Sequence, residues 1–339
     1  MNKKKWSLLY IALNIFIIAL IGILDPEIKD IGKIFYNARP GWIIAAVGSM
    51  VLYWIMDAAI LNYTVSCIHG QKSFWKSFKV AVIGQYYNAI TPFASGGQPA
   101  QMYYMAKMGV PGGSASSIIM VKFLVYQVVL SVFGALAFIW KGRDIYSYNT
   151  WVFWFSVFGF IINAGAILLL VFLSISMGVV KGLVFNTISI LSKIKLIRDP
   201  ARTKEKLKSH VEDFHNGIKL MQGNAIAMLN MSLLTALQLL CFFSITFFIY
   251  KGLGLTEEKW VNILLVQALL YLAVSFVPTP GSTGASETGF MIFFRFFFPR
   301  NLIFMAMLLW RIISYYLNIL AGILFILWDS ISNFIKPKA

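Results

Sequence analysis

Charge is scarce where this chain is apolar, and the few exceptions are the first candidates for chemistry. Of 13 acidic residues, Asp57 and Glu287 fall well inside apolar runs, and Lys122, Arg295 and Arg311 are their basic counterparts. A charge at the centre of a bilayer costs about 2.5–3.5 kcal/mol on insertion scales, so each of these should face the protein interior and be paired. Arg311 sits about ten residues into the last apolar run, with Ser314, Tyr315 and Asn318 on its helical face. Glu287 also counts to the middle of the membrane, so a Glu287–Arg311 pair is expected, and structural and substrate-binding roles are both open to it. Asp57 is expected to pair with Lys122, and these two are secondary candidates for substrate contact.

Two apolar stretches are interrupted by small and polar residues. The first, 74–112, has ITPFASGGQPAQ (Ile90 to Gln101) at its centre, and the second, 259–298, has VPTPGSTGASETG (Val277 to Gly289). Their centres resemble each other: Thr91-Pro92 with Gly96 four on, and Thr279-Pro280 with Gly284 four on. After each break a half-helix should start, with Pro99 at its first position following Gln98 and with Ser286 as the cap before Glu287. Both half-helix N-termini would then turn positive dipole ends to the midplane, a site for an anion such as a lipid phosphate. Gly96, Gly97, Gly281 and Gly284 would let a headgroup approach the backbone. The candidate substrate-binding set is therefore Thr91, Ser95, Gly96, Gly97, Gln98, Gln101, Thr279, Gly281, Ser282, Gly284, Ser286, Glu287, Arg311 and Tyr315. No metal site or cofactor is expected; His210 and His215 are poorly spaced for one ion, and Cys67 and Cys241 read as apolar fillers.

Positioning these residues falls to helices that cross a membrane. The chain is 59% hydrophobic and 12% charged, where a soluble domain is about 25% charged. Apolar runs fall at 6–24, 42–63, 114–140, 151–177, 224–250 and 301–328, each near the length needed to cross. The first could be a signal peptide, but Asp25-Pro26-Glu27 follows it without a small-residue cleavage site, so it reads as a retained span. Loop 178–223 carries Lys181, Lys193, Lys195, Arg198, Arg202, Lys204, Lys206, Lys208 and Lys219 against four acids, which places it in the cytoplasm with both termini. Loops 25–41, 141–150 and 251–258 then face out. By this count 74–112 enters and leaves from the cytoplasmic side and 259–298 from the outer side. The expected fold is an all-α polytopic membrane protein with about six full spans and two oppositely oriented re-entrant hairpins, an inverted repeat forming one domain over 1–339.

Within 178–223, Asp199-Pro200 starts an amphipathic helix whose apolar residues Leu207, Val211, Phe214, Ile218 and Met221 should lie on the inner leaflet. The net charge of +16 fits the positive-inside rule and anionic inner-leaflet lipid rather than nucleic acid.

TPFASGGQPAQMYYMAKMGVP (Thr91 to Pro111), VPTPGSTGASETGF (Val277 to Phe290) and WRIISYYLNILAG (Trp310 to Gly322) resemble the flippase-like transmembrane region of the lysylphosphatidylglycerol synthase, or multiple peptide resistance factor, family. The resemblance covers essentially the whole chain. Ser282 and Thr283 depart from the family's commoner PGGxGxxE pattern. The resemblance implies a translocase that moves a phospholipid, such as aminoacylated phosphatidylglycerol, between leaflets, without the soluble synthase domain. A lipid-linked transferase and an ion or small-solute transporter are the alternatives, though there is no nucleotide loop or metal-ligand cluster to serve the first. The partners expected are a membrane phospholipid as substrate and anionic inner-leaflet lipid, with a homodimer open.

Overall fold

Backbone in hydrocarbon must bond to itself, which restricts a chain of this composition to helices. A computed structural model describes residues 39–70, 72–148, 150–175 and 200–335, with scattered residues between 178 and 192, and those residues are helical with no strand among them. The helices are α1 (Pro40–His69), α2 (Phe74–Ile90), α3 (Gly97–Lys107), α4 (Gly112–Tyr148), α5 (Thr150–Ile175), α6 (Pro200–Gln222), α7 (Ala225–Gly252), α8 (Trp260–Val274), α9 (Ala285–Phe293), α10 (Arg300–Arg311) and α11 (Leu317–Ile335). Helices α10 and α11 are one rod joined by a π-helical turn, Ile312–Tyr316. Among the described residues 5 helical rods are long and apolar enough to cross a membrane: Pro40–His69, Gly112–Ser147, Thr150–Leu169, Ala225–Gly252 and Arg300–Trp328. They answer five of the six apolar runs; the run 6–24 lies outside the described residues.

Helices α1 and α7 form an antiparallel spine. The Arg39 N–H donates to Gly252 O, Ser49 Oγ to Cys241 O, and Thr64 Oγ1 to Met231 Sδ, so the start of α1 lies beside the end of α7. Helix α2 begins five residues after α1 ends, and α8 begins shortly after α7 ends. The two broken segments therefore enter from opposite ends of the spine. Helix α3 folds back on α2 and α9 on α8, and their tips, Pro92–Ala94 and Pro280–Ser282, pack on each other between the spine's ends. The opposed hairpins expected from charge counting are thus a feature of the packing itself.

Small residues let the hairpins in. Helix α8 is pressed between α4 and α5: a Cβ on Gly159 would meet Leu272 O at 2.3 Å, and one on Gly134 would meet Leu272 Cδ1 at 2.4 Å. On the other hairpin, a Cβ on Gly322 of α11 would meet Tyr86 Cβ of α2 at 2.2 Å. Close backbone approach of this kind is how helices associate where lipid removes the hydrophobic drive.

Two expectations change. The loop 141–150 is helical up to Tyr148, because Lys141 pairs with Asp144 at 3.0 Å one turn on and Tyr146 packs edge-on against Phe153 at 5.4 Å. The amphipathic helix is present as α6, but Ile218 and Met221 are buried against protein rather than turned to a leaflet. Gly113 of α4 lies under His210 O, and Gly217 of α6 lies against Ser117 Oγ, so α6 is clamped along α4. The apolar side chains Leu207 and Val211 fall outside the described side chains.

Gly159→Ala should lower thermal stability in detergent by about 1–3 kcal/mol, since the added methyl meets backbone that cannot move aside. Gly165→Ala on the same helix, with nothing within 4 Å of the new atom, should leave the melting temperature unchanged or slightly raised.

Candidate functional site

The two tips repeat one backbone path. Thr91 (φ −118°, ψ 145°) and Thr279 (φ −109°, ψ 148°) are extended, a proline follows each, and the next residues are left-handed: Phe93 (φ 55°, ψ 20°) and Gly281 (φ 59°, ψ 22°). Ala94 and Ser282 follow, both with φ 50°. The Ser95 N–H donates to Pro92 O at 3.1 Å and the Thr283 N–H to Pro280 O at 3.2 Å, and the hydroxyls of Ser95 and Thr283 donate to the same carbonyls at 2.8 and 2.7 Å. The paths part at Gly96 (φ −82°) and Gly284 (φ 88°). Left-handed Phe93, Ala94 and Ser282 each hold strain of about 1–3 kcal/mol, which persists only where the surroundings impose it. Phe93 is 57% exposed beside the meeting point of the tips.

Both half-helices start earlier than their prolines and serines suggested. Helix α3 begins at Gly97, which puts Pro99 at its third residue; Thr91 Oγ1 accepts the Gly96 N–H at 2.8 Å and Asn88 Oδ1 accepts the Gly97 N–H at 3.0 Å. Helix α9 begins at Ala285, so Ser286 is its second residue, and the Glu287 carboxylate reaches back to accept the Gly284 N–H at 2.6 Å. The first donors at each positive end are therefore taken by the hairpins' own side chains.

The expected ion pair is present and buried. Arg311 Nε donates to Glu287 Oε1 at 2.5 Å, with side-chain exposures of 4% and 0%. Both Arg311 terminal nitrogens lie 3.2 Å from Gly281 O, and Nη2 lies 3.3 Å from Thr283 Oγ1. Arg311 thus holds the second tip's irregular carbonyl as well as the acid that caps α9. Its guanidinium stacks on Tyr315 at 4.4 Å, and the Tyr315 hydroxyl donates to Ala89 O at the end of α2 at 3.3 Å. One arginine and one tyrosine, set side by side by the π-turn, bolt the two hairpins together. Asn318, expected on the same face, instead accepts from Trp54 Nε1 of α1 at 2.7 Å.

Three of the four expected glycines have another use. A Cβ on Gly96 would meet the Thr91 side chain at 2.6 Å, one on Gly97 the Asn88 amide at 2.0 Å, and one on Gly281 the Tyr315 ring at 2.1 Å. They permit close packing within and between hairpins on the side a Cβ would occupy. Gly284, with nothing within 4 Å, is the open one. Gln101 is buried against Gly84, Gln98 is half-buried, Ser95 is exposed, and Thr279 Oγ1 donates to Thr283 O at 3.0 Å. Arg295 is exposed beyond the end of α9.

Asp57 and Lys122 pair at 2.7 Å. Around them the structure gathers residues that sequence reading passed over: Gln85 Nε2 donates to Asp57 at 3.2 Å and to Tyr53 Oη at 3.1 Å, and Gln238 Nε2 donates to Asp57 at 3.1 Å. Tyr126 Oη donates to Tyr271 Oη at 2.9 Å nearby. A lone glutamine in each of two apolar helices was the available signal. Among the described residues no group of three or more His, Cys, Asp or Glu could hold a metal.

Opposed broken hairpins with bonded tips, carried by apolar spans, define a polytopic all-α membrane protein of the inverted-hairpin kind. The chain belongs to the lysylphosphatidylglycerol synthase TM region family, whose match covers residues 8–322. It is similar to a UPF0104 membrane protein of Archaeoglobus fulgidus, 25% identical over 88% of this chain and 91% of that one. It is also similar to a UPF0104 membrane protein of Methanocaldococcus jannaschii, 23% identical over 94% of this chain and 93% of that one.

Removing one member of the buried pair leaves the other charge uncompensated, typically at about 3–5 kcal/mol. Glu287→Gln and Arg311→Gln should each cut the yield of monodisperse protein and its melting temperature, and the double variant should recover most of the loss. A loss in the double variant equal to the sum of the two single losses would mean that the two charges are not energetically coupled.

Proposed function

We propose that the chain is a lipid translocase of the cell membrane, with both termini in the cytoplasm, that moves a phospholipid or related lipid-linked molecule between leaflets. The observation that carries this reading is the Glu287–Arg311 pair, buried where two opposed hairpin tips meet. A buried pair resists opening, because each separated ion loses its partner in a medium of low polarity. A headgroup that brings both signs can open it by exchange: its phosphate takes Arg311 while its ammonium takes Glu287, and no charge is left alone. The N–H groups of Gln98, Ala285 and Ser286, by their position early in their half-helices, suit a phosphate oxygen, and open Gly284 gives it access to the backbone. This chemistry favours aminoacylated phosphatidylglycerol, or another lipid bearing an amine and a phosphate, over a purely anionic one. The family to which the chain belongs supports a lipid as cargo. Exposed Lys208 and Lys219 of α6 suit anionic inner-leaflet lipid.

Leaflet-resolved lipid assays in proteoliposomes test the reading. Exchange should be faster for lysyl-phosphatidylglycerol and phosphatidylethanolamine than for phosphatidylglycerol, and the folded double variant Glu287→Gln/Arg311→Gln should lose it. Solute uptake without lipid exchange would replace the reading with a small-solute transporter, and a new lipid product would replace it with a transferase. Phe93→Ala, at an exposed tip position, should shift stability by no more than about 0.5 kcal/mol while slowing exchange.

A further inference from the structure

Two of the four side-chain atoms that are buried without a hydrogen-bond partner, among the described residues, belong to residues beside Arg311: Trp310 Nε1 and the Tyr316 hydroxyl. A buried polar group left unpaired costs stability, so two of them around one ion pair call for a reason. Local backbone puts them there. Residues Ile312–Tyr316 form a π-helical turn in which the Leu317 N–H donates to Ile312 O, five residues back. A regular α-helix would give Arg311 only residues three and four further on as neighbours on its face, and the five-residue turn adds Tyr316. The charged and titratable groups that act on the Tyr316 hydroxyl are accordingly Arg311, Glu287 and Tyr315. The Tyr316 ring packs against the end of the first hairpin's arm α2, on a cluster that includes Ala89 and Ile90. Trp310 is 4% exposed, stacks on Phe290 of α9 at 5.1 Å, and has its ring 5.8 Å from the guanidinium. Indole can only donate a hydrogen bond, and a phenol donates readily. Glu287 cannot answer them as it stands, since one carboxylate oxygen is taken by Arg311 and the other by the Gly284 N–H. A guanidinium flanked by two unused donors matches a phosphate, which brings several acceptor oxygens on one anion.

We infer that Tyr316 is a phosphate-binding residue: its hydroxyl donates to a phosphate oxygen of the headgroup that takes Arg311 from Glu287, with Trp310 Nε1 as companion donor. The π-turn is what equips the rod for this, because it sets the hydroxyl on the face of the arginine and leaves it without a protein partner. The inference deepens the translocase reading and rests on it for the lipid, whereas phosphate binding at Tyr316 does not depend on transport. It also separates the two halves of the headgroup. Tyr316 serves the phosphate alone, and the amine is left to Glu287.

The test uses the full chain in detergent and reads its melting temperature against added ligand, since a ligand of the folded state raises it. The probes are dihexanoyl-phosphatidylethanolamine, dodecylamine (an amine without phosphate) and inorganic phosphate. Tyr316→Phe keeps the ring and removes a hydroxyl that bonds nothing in the protein. Without ligand it should therefore melt with the wild type or slightly above it. Its affinity for the phospholipid should fall about 10- to 100-fold, which is what a hydrogen bond to a charged group contributes. Dodecylamine should bind both proteins equally. A Tyr316→Phe protein that fails to fold or melts well below the wild type would give the hydroxyl a structural role, held by water, and overturn the inference. Equal phospholipid affinity in the two proteins, or no stabilisation of the wild type by either phosphate-bearing probe, would overturn it as well. Stabilisation by inorganic phosphate as strong as by the phospholipid, and lost in Tyr316→Phe, keeps the phosphate site and makes a soluble anion its ligand. If phospholipid binding depends on Tyr316 but the wild type exchanges no lipid in proteoliposomes, the site stands and the translocase reading falls.

Discussion

Irregular backbone inside a membrane has no water to bond, and the architecture of this protein follows from that constraint. Each tip gives up helical hydrogen bonds over about half a dozen residues, and every replacement described at the tips comes from protein. Thr91, Asn88 and Glu287 take the first N–H groups of the half-helices, and Arg311 takes the Gly281 carbonyl. Arg311 is the member of this set that serves three ends. It neutralises Glu287, holds the second tip, and supports Tyr315 against the first hairpin.

That economy shapes the chemistry as well. A site whose two charges already neutralise each other is stable when empty, and it admits a charged ligand by partner exchange. The Glu287–Arg311 pair sets the terms of such an exchange: one anionic and one cationic group, close together, on the same ligand. The glycines around it, by packing on Thr91, Asn88 and Tyr315, narrow the space and leave the neighbourhood of Gly284 as the way to the backbone. The strain in Phe93, Ala94 and Ser282 belongs to the same arrangement, since the twin turns are held by contact with each other and not by the preferences of their own residues.

The Asp57 network stands in contrast to the tips. Its polar groups belong to regular helices, so no backbone depends on it, and one of its acceptors remains unsatisfied. Gln85 and Tyr271 bring the arms of both hairpins to it, while Trp54, one turn before Asp57 on α1, bonds Asn318 on the rod that carries Arg311. The two buried pairs are thus linked by secondary structure through a few turns of α1 and α11.

The sequence by itself determined five of its six apolar spans, the two broken segments, their likeness, and the Glu287–Arg311 and Asp57–Lys122 pairs. Each of these rests on a local or one-dimensional quantity: the length of an apolar run, the balance of basic loops, or the rarity of charge where charge is expensive. Only the tertiary structure decided what the tips are bonded to. Residue counting placed Pro99 and Ser286 at helix starts, but the acceptor oxygens of Thr91 and Asn88 and the reach of Glu287 moved those starts toward the tips, because unsatisfied N–H groups outweigh propensity in hydrocarbon. It also decided that Ile218 and Met221 of α6 face protein, that Tyr315 bridges the hairpins through a π-turn with no sequence signature, and that Gln85 and Gln238 belong to Asp57. Those outcomes depend on which side chains meet across 28 to 226 positions of chain, and spacing along a single sequence carries no information about that.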